Sequence, residues 1–386
     1  MIYLVKTPFY SYLIEYLNDN KGFRGSRVIT INKSGAKNII SYINNKPFDS
    51  NFIKQVKPKV NLKKVSVSGS FRTLYPLHFQ IELTDLCNFN CDYCYKNATV
   101  NLNKYTNIDF NNLKSKLTYY KYKNLKEIGI TGGEPTLHPE FIKIMKFVLE
   151  NFELVELITN GSNPDIILNL LNSISGKNKL KLNLSISFNE WFRENKNILN
   201  KDYYLNKTIK KIAKIHPIRI ICTDYEFSLE KKEEVIKNLK RLGVKEIDFS
   251  YVSPIGRAKN KTTEDYYINK YDFSKKDINK NSTLKNNNCG LIFKHNCIEP
   301  NGNIRPCALF PSNYILGNIF KKMNFFDLIF LYNIPSPNKE ICNNCSYYLY
   351  CRGCIYKGLS NSNKKCEYKK YIKQKHPLLY NLSENK

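Results

Sequence analysis

The stretch HFQIELTDLCNFNCDYCY (residues 78–95) sets three cysteines directly behind a short, strand-like apolar segment. Cys87, Cys91 and Cys94 follow the spacing C-x3-C-x2-C, which puts their thiols on one short loop. Three thiolates on one loop can bind three corners of a cubane iron–sulfur cluster, and the loop supplies no ligand for the fourth iron. An open metal position is typical of catalytic sites. The spacing therefore indicates a catalytic cluster, with buried free thiols or a zinc site completed from elsewhere as the alternatives.

Strand-like and helical patterns alternate along residues 76–258, the region that begins with this stretch. The predicted strands are HFQIELT, LKEIGIT, LVELITN, LKLNLSISF, IRIICTD and KEIDFSYV. The predicted helices span residues 110–123, 139–151, 164–173, 203–215 and 229–242. Strands joined by helical crossovers form a parallel sheet, and right-handed crossovers would curl six such units into a partial (β/α)6 barrel resembling a TIM barrel. The predicted fold class is α/β, with functional groups at the carboxyl ends of the strands.

Two further regions flank this one. Residues 1–75 form a small N-terminal module, with two short helical patterns around a strand-like piece at residues 27–32 and a polar, basic connector at residues 58–75. Residues 259–386 show few regular patterns, and metal clusters would supply the stability that such a region lacks. Cys222 lies on an apolar strand and is predicted to be in the core. Eight cysteines, enough for two four-ligand sites, fall in the C-terminal region: Cys289, Cys297, Cys307, Cys342, Cys345, Cys351, Cys354 and Cys366.

The composition narrows the classes of protein that fit. The 386 residues carry 61 Lys and Arg against 33 Asp and Glu, a formal net charge of +28. The lysines are spread along the chain, so a specific nucleic-acid partner is not expected, whereas attraction to an acidic partner stays open. No stretch approaches about 18 consecutive apolar residues, so neither a transmembrane helix nor a membrane partner is expected. Since the first residues show no secretory signal, we expect a cytoplasmic location, where cysteines suit metal or redox chemistry better than disulfides.

The cysteine loop and later motifs resemble the radical S-adenosylmethionine (SAM) enzymes. The later motifs are TGGEP (131–135), TNG (159–161), two serines of the fourth predicted strand and VSPIGRA (252–258), in chain order. In that family the Gly-Gly-Glu segment holds the methionine amino group of SAM, which suits a carboxylate and glycines that let the backbone approach. The resemblance implies a SAM site formed by Tyr93, Gly132, Gly133, Glu134, Pro135, Thr159, Asn160, Ser185, Ser187, Val252 and Arg257.

The same resemblance implies the chemistry. A reduced [4Fe–4S] cluster on the cysteine triad passes one electron to SAM, and the 5'-deoxyadenosyl radical that forms abstracts a hydrogen atom from the substrate. A flavodoxin or ferredoxin would supply the electron. No general base is marked in the sequence. The candidates for the catalytic environment, which lie close in sequence to the cysteine loop or to TGGEP, are Glu82, Asp85 and His138.

The C-terminal cysteines resemble the SPASM extension of radical SAM enzymes. The resemblance rests on C-x12-G-x4-C from Cys289 and on C-x2-C-x5-C-x2-C from Cys342, although the family usually has three residues in the last gap. If Cys297 were a spare, the first auxiliary cluster would be open to a substrate thiolate. Zinc is the alternative, because C-x2-C pairs also suit zinc. By position, one auxiliary [4Fe–4S] cluster would use Cys289, Cys297, Cys307 and Cys354, and the other Cys342, Cys345, Cys351 and Cys366.

Residues 28–56 are predicted to form a strand, a helix, a turn and a second helix. This order resembles the leader-peptide recognition element of peptide-maturing systems, a small winged-helix domain. Such an element would capture a leader by adding it as a strand to a sheet edge. The alternative is a module that only docks onto the barrel.

Together these features favour a maturase of a ribosomally made precursor peptide (a RiPP), whose leader could be acidic. The favoured reaction installs a thioether or a carbon–carbon crosslink. The alternatives are an anaerobic sulfatase-type maturase that forms formylglycine, a peptide epimerase, and a non-catalytic zinc or iron–sulfur protein on nucleic acid. Ala308 follows Cys307 where the sulfatase maturases carry an aspartate base, which disfavours the first alternative.

Overall fold

The computed structural model of the chain covers most of the N-terminal module and of the central sheet, with two short segments of the C-terminal region. The described residues are 2–8, 10–101, 103–188, 204–224, 229–251, 256–258, 295–309 and 315–323. The predictions for the following residues lie outside these ranges: Val252, Cys289, Cys342, Cys345, Cys351, Cys354 and Cys366.

The N-terminal module is a four-stranded sheet packed against two helices. Its elements are β1 (Ile2–Lys6), β2 (Tyr10–Asn18), β3 (Arg24–Asn32), α1 (Lys33–Ile43), α2 (Ser50–Val56) and β4 (Val65–Gly69). The strand order is β3-β2-β1-β4, with β4 parallel to β1 and the other pairs antiparallel. Asn32 and Asp49 cap the two helices, because each side chain accepts a hydrogen bond from a backbone N–H of the first turn. The core includes Leu4, Leu13, Ile39 and Phe52.

Two predictions for this module are wrong. The helical pattern expected before residues 27–32 is instead the β1–β2 hairpin, and β2 is rich in tyrosine, leucine and isoleucine that suit a largely buried strand. The connector expected at residues 58–75 contains β4, which pairs along its whole length with β1. In β4 only Val65 and Val67 alternate with serines, a four-residue pattern at the lower limit of a strand signal, so the distant partner identifies this strand more clearly than its own sequence does.

Six parallel strands lie in chain order at the centre of the molecule, as predicted. They are β5 (His78–Glu82), β6 (Glu127–Thr131), β7 (Leu154–Thr159), β8 (Leu182–Ser187), β9 (Ile218–Asp224) and β10 (Glu246–Tyr251). The helices along this region are α3 (Phe110–Lys123), α4 (Phe141–Asn151), α5 (Pro164–Ser173), α6 (Gly176–Lys179), α7 (Tyr204–Ala213) and α8 (Leu229–Arg241). All six predicted strands and all five predicted helices are confirmed, and the short α6 is an addition.

The two faces of this sheet differ in polarity. Residues paired in register share a face of the sheet, so Phe79, Ile128 and Val155 form one apolar row. The helices α3, α4 and α5 pack their buried side chains into the same core. The row on the opposite face includes Glu156 and Asn183, which are register partners. Helices therefore cover the apolar face, and polar groups collect on the other.

The sheet is curved. The segment after β10 contacts the loop after β5, although four strands lie between β10 and β5. The backbone N–H of Arg257 donates to the carbonyl oxygen of Cys94 (3.0 Å). This hydrogen bond brings the two ends of the six-stranded row together on their carboxyl side.

The C-terminal region extends the sheet beyond β5. The strand β11 (His295–Ile298) pairs in parallel with β5, β12 (Asn303–Arg305) returns antiparallel to β11, and β13 (Gly317–Asn318) pairs with β12. The sheet is thus mixed. Cys297 lies on β11, directly beside the first strand of the parallel row, and Cys307 follows β12, one strand further out.

The N-terminal module docks on the amino ends of the parallel strands. The Tyr16 hydroxyl donates to Glu127 Oε1 (2.8 Å) at the start of β6. The backbone N–H of Arg24 donates to Asn183 Oδ1 (2.8 Å), and Asn183 Nδ2 donates back to the Arg24 carbonyl (2.7 Å) near the start of β8. The module therefore lies at the end of the sheet opposite to the cysteine loop.

Candidate active site

The cysteine loop follows β5 and is held against the end of β6. The N–H of Gly133 donates to the carbonyl oxygen of Thr84 (2.7 Å). On the other side of the loop, the N–H of Cys87 donates to the carbonyl oxygen of Thr99 (2.8 Å). The predicted meeting of the triad and the TGGEP segment is therefore made by main-chain hydrogen bonds, as expected for loops at the carboxyl ends of neighbouring parallel strands.

Gly132 and Gly133 are required by this contact. A Cβ atom at Gly132 would lie 2.8 Å from the carbonyl oxygen of Thr84, and a Cβ atom at Gly133 would overlap the carbonyl oxygen of Leu86. The family resemblance predicts that both glycines let the backbone approach SAM. The structure adds a reason that involves no ligand, because only glycine lets the two loops come this close.

Glu134 joins the ends of β6 and β7. Its carboxylate is fully buried and accepts hydrogen bonds from Thr159 Oγ1 (2.7 Å), the Asn160 N–H (2.7 Å) and the hydroxyl and N–H of Thr136 (2.6 and 3.1 Å). Burial raises the pKa of this carboxyl, and the hydrogen bonds from Asn160 and the two threonines oppose that rise. The role predicted for Glu134 was contact with the SAM amino group, whereas the contacts described here tie two strand ends together.

Asn160 connects this carboxylate to the triad. Its side-chain amide donates to Cys87 Sγ (3.9 Å) and to Asn88 Oδ1 (2.9 Å). The N–H of Phe89 also donates to Cys87 Sγ (3.4 Å). Two donors therefore face one sulfur, an arrangement that stabilises a thiolate and tunes the potential of an iron–sulfur cluster.

The Cys87 thiol lies in a crowded, largely buried position. Burial is the main cause that raises its pKa to about 11, with Glu134, Cys91 and Cys94 adding to the rise and the Phe89 N–H opposing it. Cys91 and Cys94 add to the rise in the pKa of Cys87 because neighbouring thiolates repel one another until a cation neutralises them, so the donor set suits bound iron. Within the described residues, no three Cys, His, Asp or Glu side chains are placed to hold one metal ion together. A cubane cluster does not require such an arrangement, because each of its thiolates binds a different iron.

The remaining predicted SAM residues lie around the same carboxyl edge. Ser185, on β8, is fully buried, and its hydroxyl has no hydrogen-bond partner among the described residues. Such an orphaned hydroxyl suits a polar ligand group. Ser187 ends β8, Pro135 begins a single 3-10 turn after β6, and Tyr93 lies within the cysteine loop. Arg257 reaches that loop from the segment after β10.

A buried ionic cluster lies beside the triad, and it includes two of the predicted catalytic candidates. Glu82 is fully buried and contacts Lys96 Nζ and Arg305 Nη2 (3.3 Å). Lys96 also contacts Asp85 (3.2 Å), and Arg305 contacts Glu299 (2.9 Å). Burial lowers the pKa of Lys96, but Glu82 and Asp85 outweigh it and the net shift is upward. The Glu82 carboxylate is thus occupied by two cations.

Lys96 and Arg305 were not predicted from the sequence. A lysine two positions after the third cysteine could have marked Lys96, but Arg305 carries no signal until β11 is known to pair with β5. The Arg305 side chain crosses to Glu82 from the hairpin that bears Cys297. Cys297 lies close to this ionic cluster. Burial raises the pKa of its thiol, and the nearby Glu82 carboxylate adds to the rise.

His138, the third catalytic candidate, holds two segments of backbone together. Its Nδ1 accepts a hydrogen bond from the Glu140 N–H (3.1 Å), which leaves Nε2 to donate to the carbonyl oxygen of Ile108 (2.9 Å). The side chain is buried, and burial lowers its pKa. These contacts fasten the turn after TGGEP to the segment that precedes α3.

Residues 81–227 match the family model of the radical SAM superfamily. The 7-carboxy-7-deazaguanine synthase of Clostridium acetobutylicum is 30% identical to this chain, over 54% of the chain and 86% of that enzyme. The chain belongs to the radical SAM superfamily. The resemblance drawn from the motifs is therefore confirmed, and with it the use of SAM and a [4Fe–4S] cluster that the superfamily shares.

This radical SAM enzyme has a further relative in the antilisterial bacteriocin subtilosin biosynthesis protein AlbA of Bacillus subtilis. The two are 28% identical over 80% of this chain and 74% of AlbA. Streptococcus suis SuiB, solved with S-adenosylmethionine and with its precursor peptide SuiA, matches 98% of this chain with a TM-score of 0.58 and 16% identity, and 97–98% of SuiB is covered. At that identity the likeness to SuiB is one of fold. None of the helices in the described part of this radical SAM enzyme has the length and apolar character needed to cross a bilayer.

Proposed function

We propose that this radical SAM enzyme matures a ribosomally made precursor peptide by installing a thioether or a carbon–carbon crosslink. The observation that carries the proposal is the contact of the cysteine loop with the ends of β6 and β7, where Glu134 and Asn160 meet Cys87. The substrate class rests on AlbA, a subtilosin biosynthesis protein, to which most of the chain is similar. The fold it shares with SuiB, which was solved with a precursor peptide, supports the same class.

The cluster is proposed on Cys87, Cys91 and Cys94. Their crowded thiols suit iron, and the Asn160 amide and the Phe89 N–H would orient and stabilise the Cys87 thiolate. The cluster and SAM, when bound, supply one-electron cleavage of the SAM sulfonium bond and abstraction of a hydrogen atom from the substrate. A flavodoxin or ferredoxin is the proposed electron donor.

The SAM site is proposed on the carboxyl edge of β6 to β10. The buried Ser185 hydroxyl would bind the ribose or carboxylate of SAM, and Tyr93 would lie near the adenine. The backbone of TGGEP would face the methionine group. The curved sheet would act as the partial barrel of the family, with the cofactor on its polar inner face.

Two auxiliary [4Fe–4S] clusters are proposed in a SPASM domain at residues 259–386. Cys297 is fully buried near Cys307, on the hairpin that extends the sheet beside β5. The position of these two cysteines at the β5 end of the sheet supports the assignment, because β5 is also the strand that leads into the triad. An auxiliary cluster there would accept the electron that remains after crosslinking, or hold a substrate thiolate.

The N-terminal module is proposed to bind the leader of the precursor. The strand β3 ends its sheet, and an extended peptide could add to its outer edge. Lys33 and Lys37 are exposed directly after β3, which favours an acidic leader. The module lies at the amino ends of strands five or six residues long, so leader and modified residue would be at least about 17–20 Å apart.

The test is an anaerobic assay of the reconstituted chain with SAM, reductant and the small peptide encoded beside the gene. We expect formation of 5'-deoxyadenosine and a peptide lighter by two hydrogen atoms, because a crosslink removes one hydrogen from each joined atom. The Cys91→Ala variant should cleave no SAM, whereas Cys222→Ala, which alters a buried core thiol, should remain active. SAM cleavage with an unchanged peptide mass would rule out crosslinking, and a stereochemical inversion would indicate an epimerase.

A further inference from the structure

The side chain and backbone of Arg257 contact three main-chain carbonyls of the cysteine loop. Nε donates to the carbonyl oxygen of Cys91 (2.6 Å) and Nη1 to that of Ala98 (2.7 Å). The backbone N–H donates to the carbonyl oxygen of Cys94 (3.0 Å). Since the N–H of Cys94 donates to the Cys91 carbonyl (3.3 Å), Arg257 binds both ends of the turn that carries two thiols of the triad.

Gly256 makes this approach possible. Its φ of +60° lies in the left-handed region, and a Cβ atom would overlap the carbonyl oxygens of Cys94 and Tyr95. The Gly-Arg pair after β10 therefore fits closely against the cysteine loop, with no space for a larger residue at the first position.

We propose that Arg257 is a positioning residue for the cluster, which it serves by holding Cys91 and Cys94 in their binding conformation. The family resemblance predicts a SAM contact for Arg257, but its donors in the structure bind the loop that bears the thiols. The planar guanidinium presents several donors in a fixed fork, so it can hold two carbonyls at once, whereas a lysine ammonium is a point charge on a flexible stem. Because Arg257 follows β10, the last strand of the parallel row, cluster binding becomes dependent on the closing of the curved sheet.

This inference rests on the proposed assignment of the cluster to the triad, and the iron content of the unaltered chain tests that assignment separately. The inference itself is tested on the full chain, reconstituted anaerobically, in three variants. Arg257→Gln removes the charge and most of the fork, and Arg257→Lys keeps the charge alone. Arg27→Gln is the matched control, because the Arg27 guanidinium also donates to a main-chain carbonyl, that of Lys59, but in the N-terminal module, where it pairs with Glu15.

Iron release to a chelator should be about tenfold or more faster in Arg257→Gln than in the unaltered chain, since one hydrogen bond from a charged donor corresponds to about a tenfold change in an equilibrium constant. Arg257→Lys should fall between the two, and Arg27→Gln should match the unaltered chain. The EPR spectrum of the reduced cluster should change in Arg257→Gln and not in Arg27→Gln. A purely structural effect would lower the folded fraction without altering the spectrum of the folded protein.

Two results would overturn the proposal. If Arg257→Gln kept normal iron retention and lost only the SAM-induced change in the EPR spectrum, Arg257 would bind SAM instead. If Arg257→Gln did not fold, Arg257→Lys would decide, because retention and spectrum identical to those of the unaltered chain would show that the fork is not needed. Iron missing from the unaltered chain would instead count against the cluster assignment.

Discussion

Replacing Arg305 by methionine should loosen the β11–β12 hairpin from the central sheet. Arg305 is 6% exposed and contacts Glu82, Glu299 and the carbonyl oxygen of Ala308 (3.1 Å). Removing one partner of a buried ion pair costs about 3–5 kcal/mol. Lys96 still neutralises Glu82 in the variant, so the lower end of that range, about 3 kcal/mol, is expected.

The assay is hydrogen exchange of the full reconstituted chain, read on peptides that cover β11 and β12. Local opening easier by about 3 kcal/mol corresponds to about 100-fold faster exchange. Peptides from α3 should exchange as before. The control Arg27→Met breaks a pair whose arginine is half exposed, which is expected to cost under about 1 kcal/mol. Acceleration of less than about threefold in Arg305→Met would show that the ionic cluster does not hold the hairpin.

Three further predictions concern single side chains. Glu134→Gln should lower the free energy of unfolding by about 2 kcal/mol, because an amide cannot accept from both the Thr159 hydroxyl and the Asn160 N–H; denaturant midpoints measure this. Asn160→Ala should make the cluster potential more negative, since one donor to Cys87 Sγ is lost; an EPR-monitored titration would show it, and an unshifted potential would contradict it. Burial lowers the pKa of His216 to about 4, so stability should fall by about 3 kcal/mol as the pH drops from about 6.5 to 4; unfolding midpoints of His216→Asn should lack this pH dependence.

The central strands and helices could be predicted because their sequences carry their own periodicity. The pattern of β5 to β10 needs no partner to be recognised, and helices such as α3 begin and end at the predicted residues. The convergence of the cysteine loop, TGGEP and Thr159-Asn160 also followed from the sequence. Parallel strands place all their carboxyl ends at one edge, so motifs that end separate strands must meet there.

The parts that could not be predicted depend on contacts between distant residues. The pairing of β11 with β5 joins segments that are far apart in the sequence, and no local pattern marks it. Lys96 and Arg305 have ordinary surroundings in the sequence: the fold of the cysteine loop brings Lys96 to Glu82, and the pairing of β11 with β5 brings Arg305. The sequence marks Gly133 as important but explains only part of the need for glycine there. The clash that excludes a side chain comes from the Leu86 carbonyl on another loop.

The cysteine loop takes its shape from the sheet around it. Gly133 binds it from β6, Asn160 from β7 and Arg257 from beyond β10, while Lys96 anchors it inward on Glu82. Zinc fingers show the opposite dependence, because there the metal supplies the energy that folds the chain. Here the large apolar core between the sheet and its helices contains none of the three triad cysteines. The fold therefore prepares the triad before iron binds, and changes at the ends of strands far from the cysteines in sequence should alter the cluster.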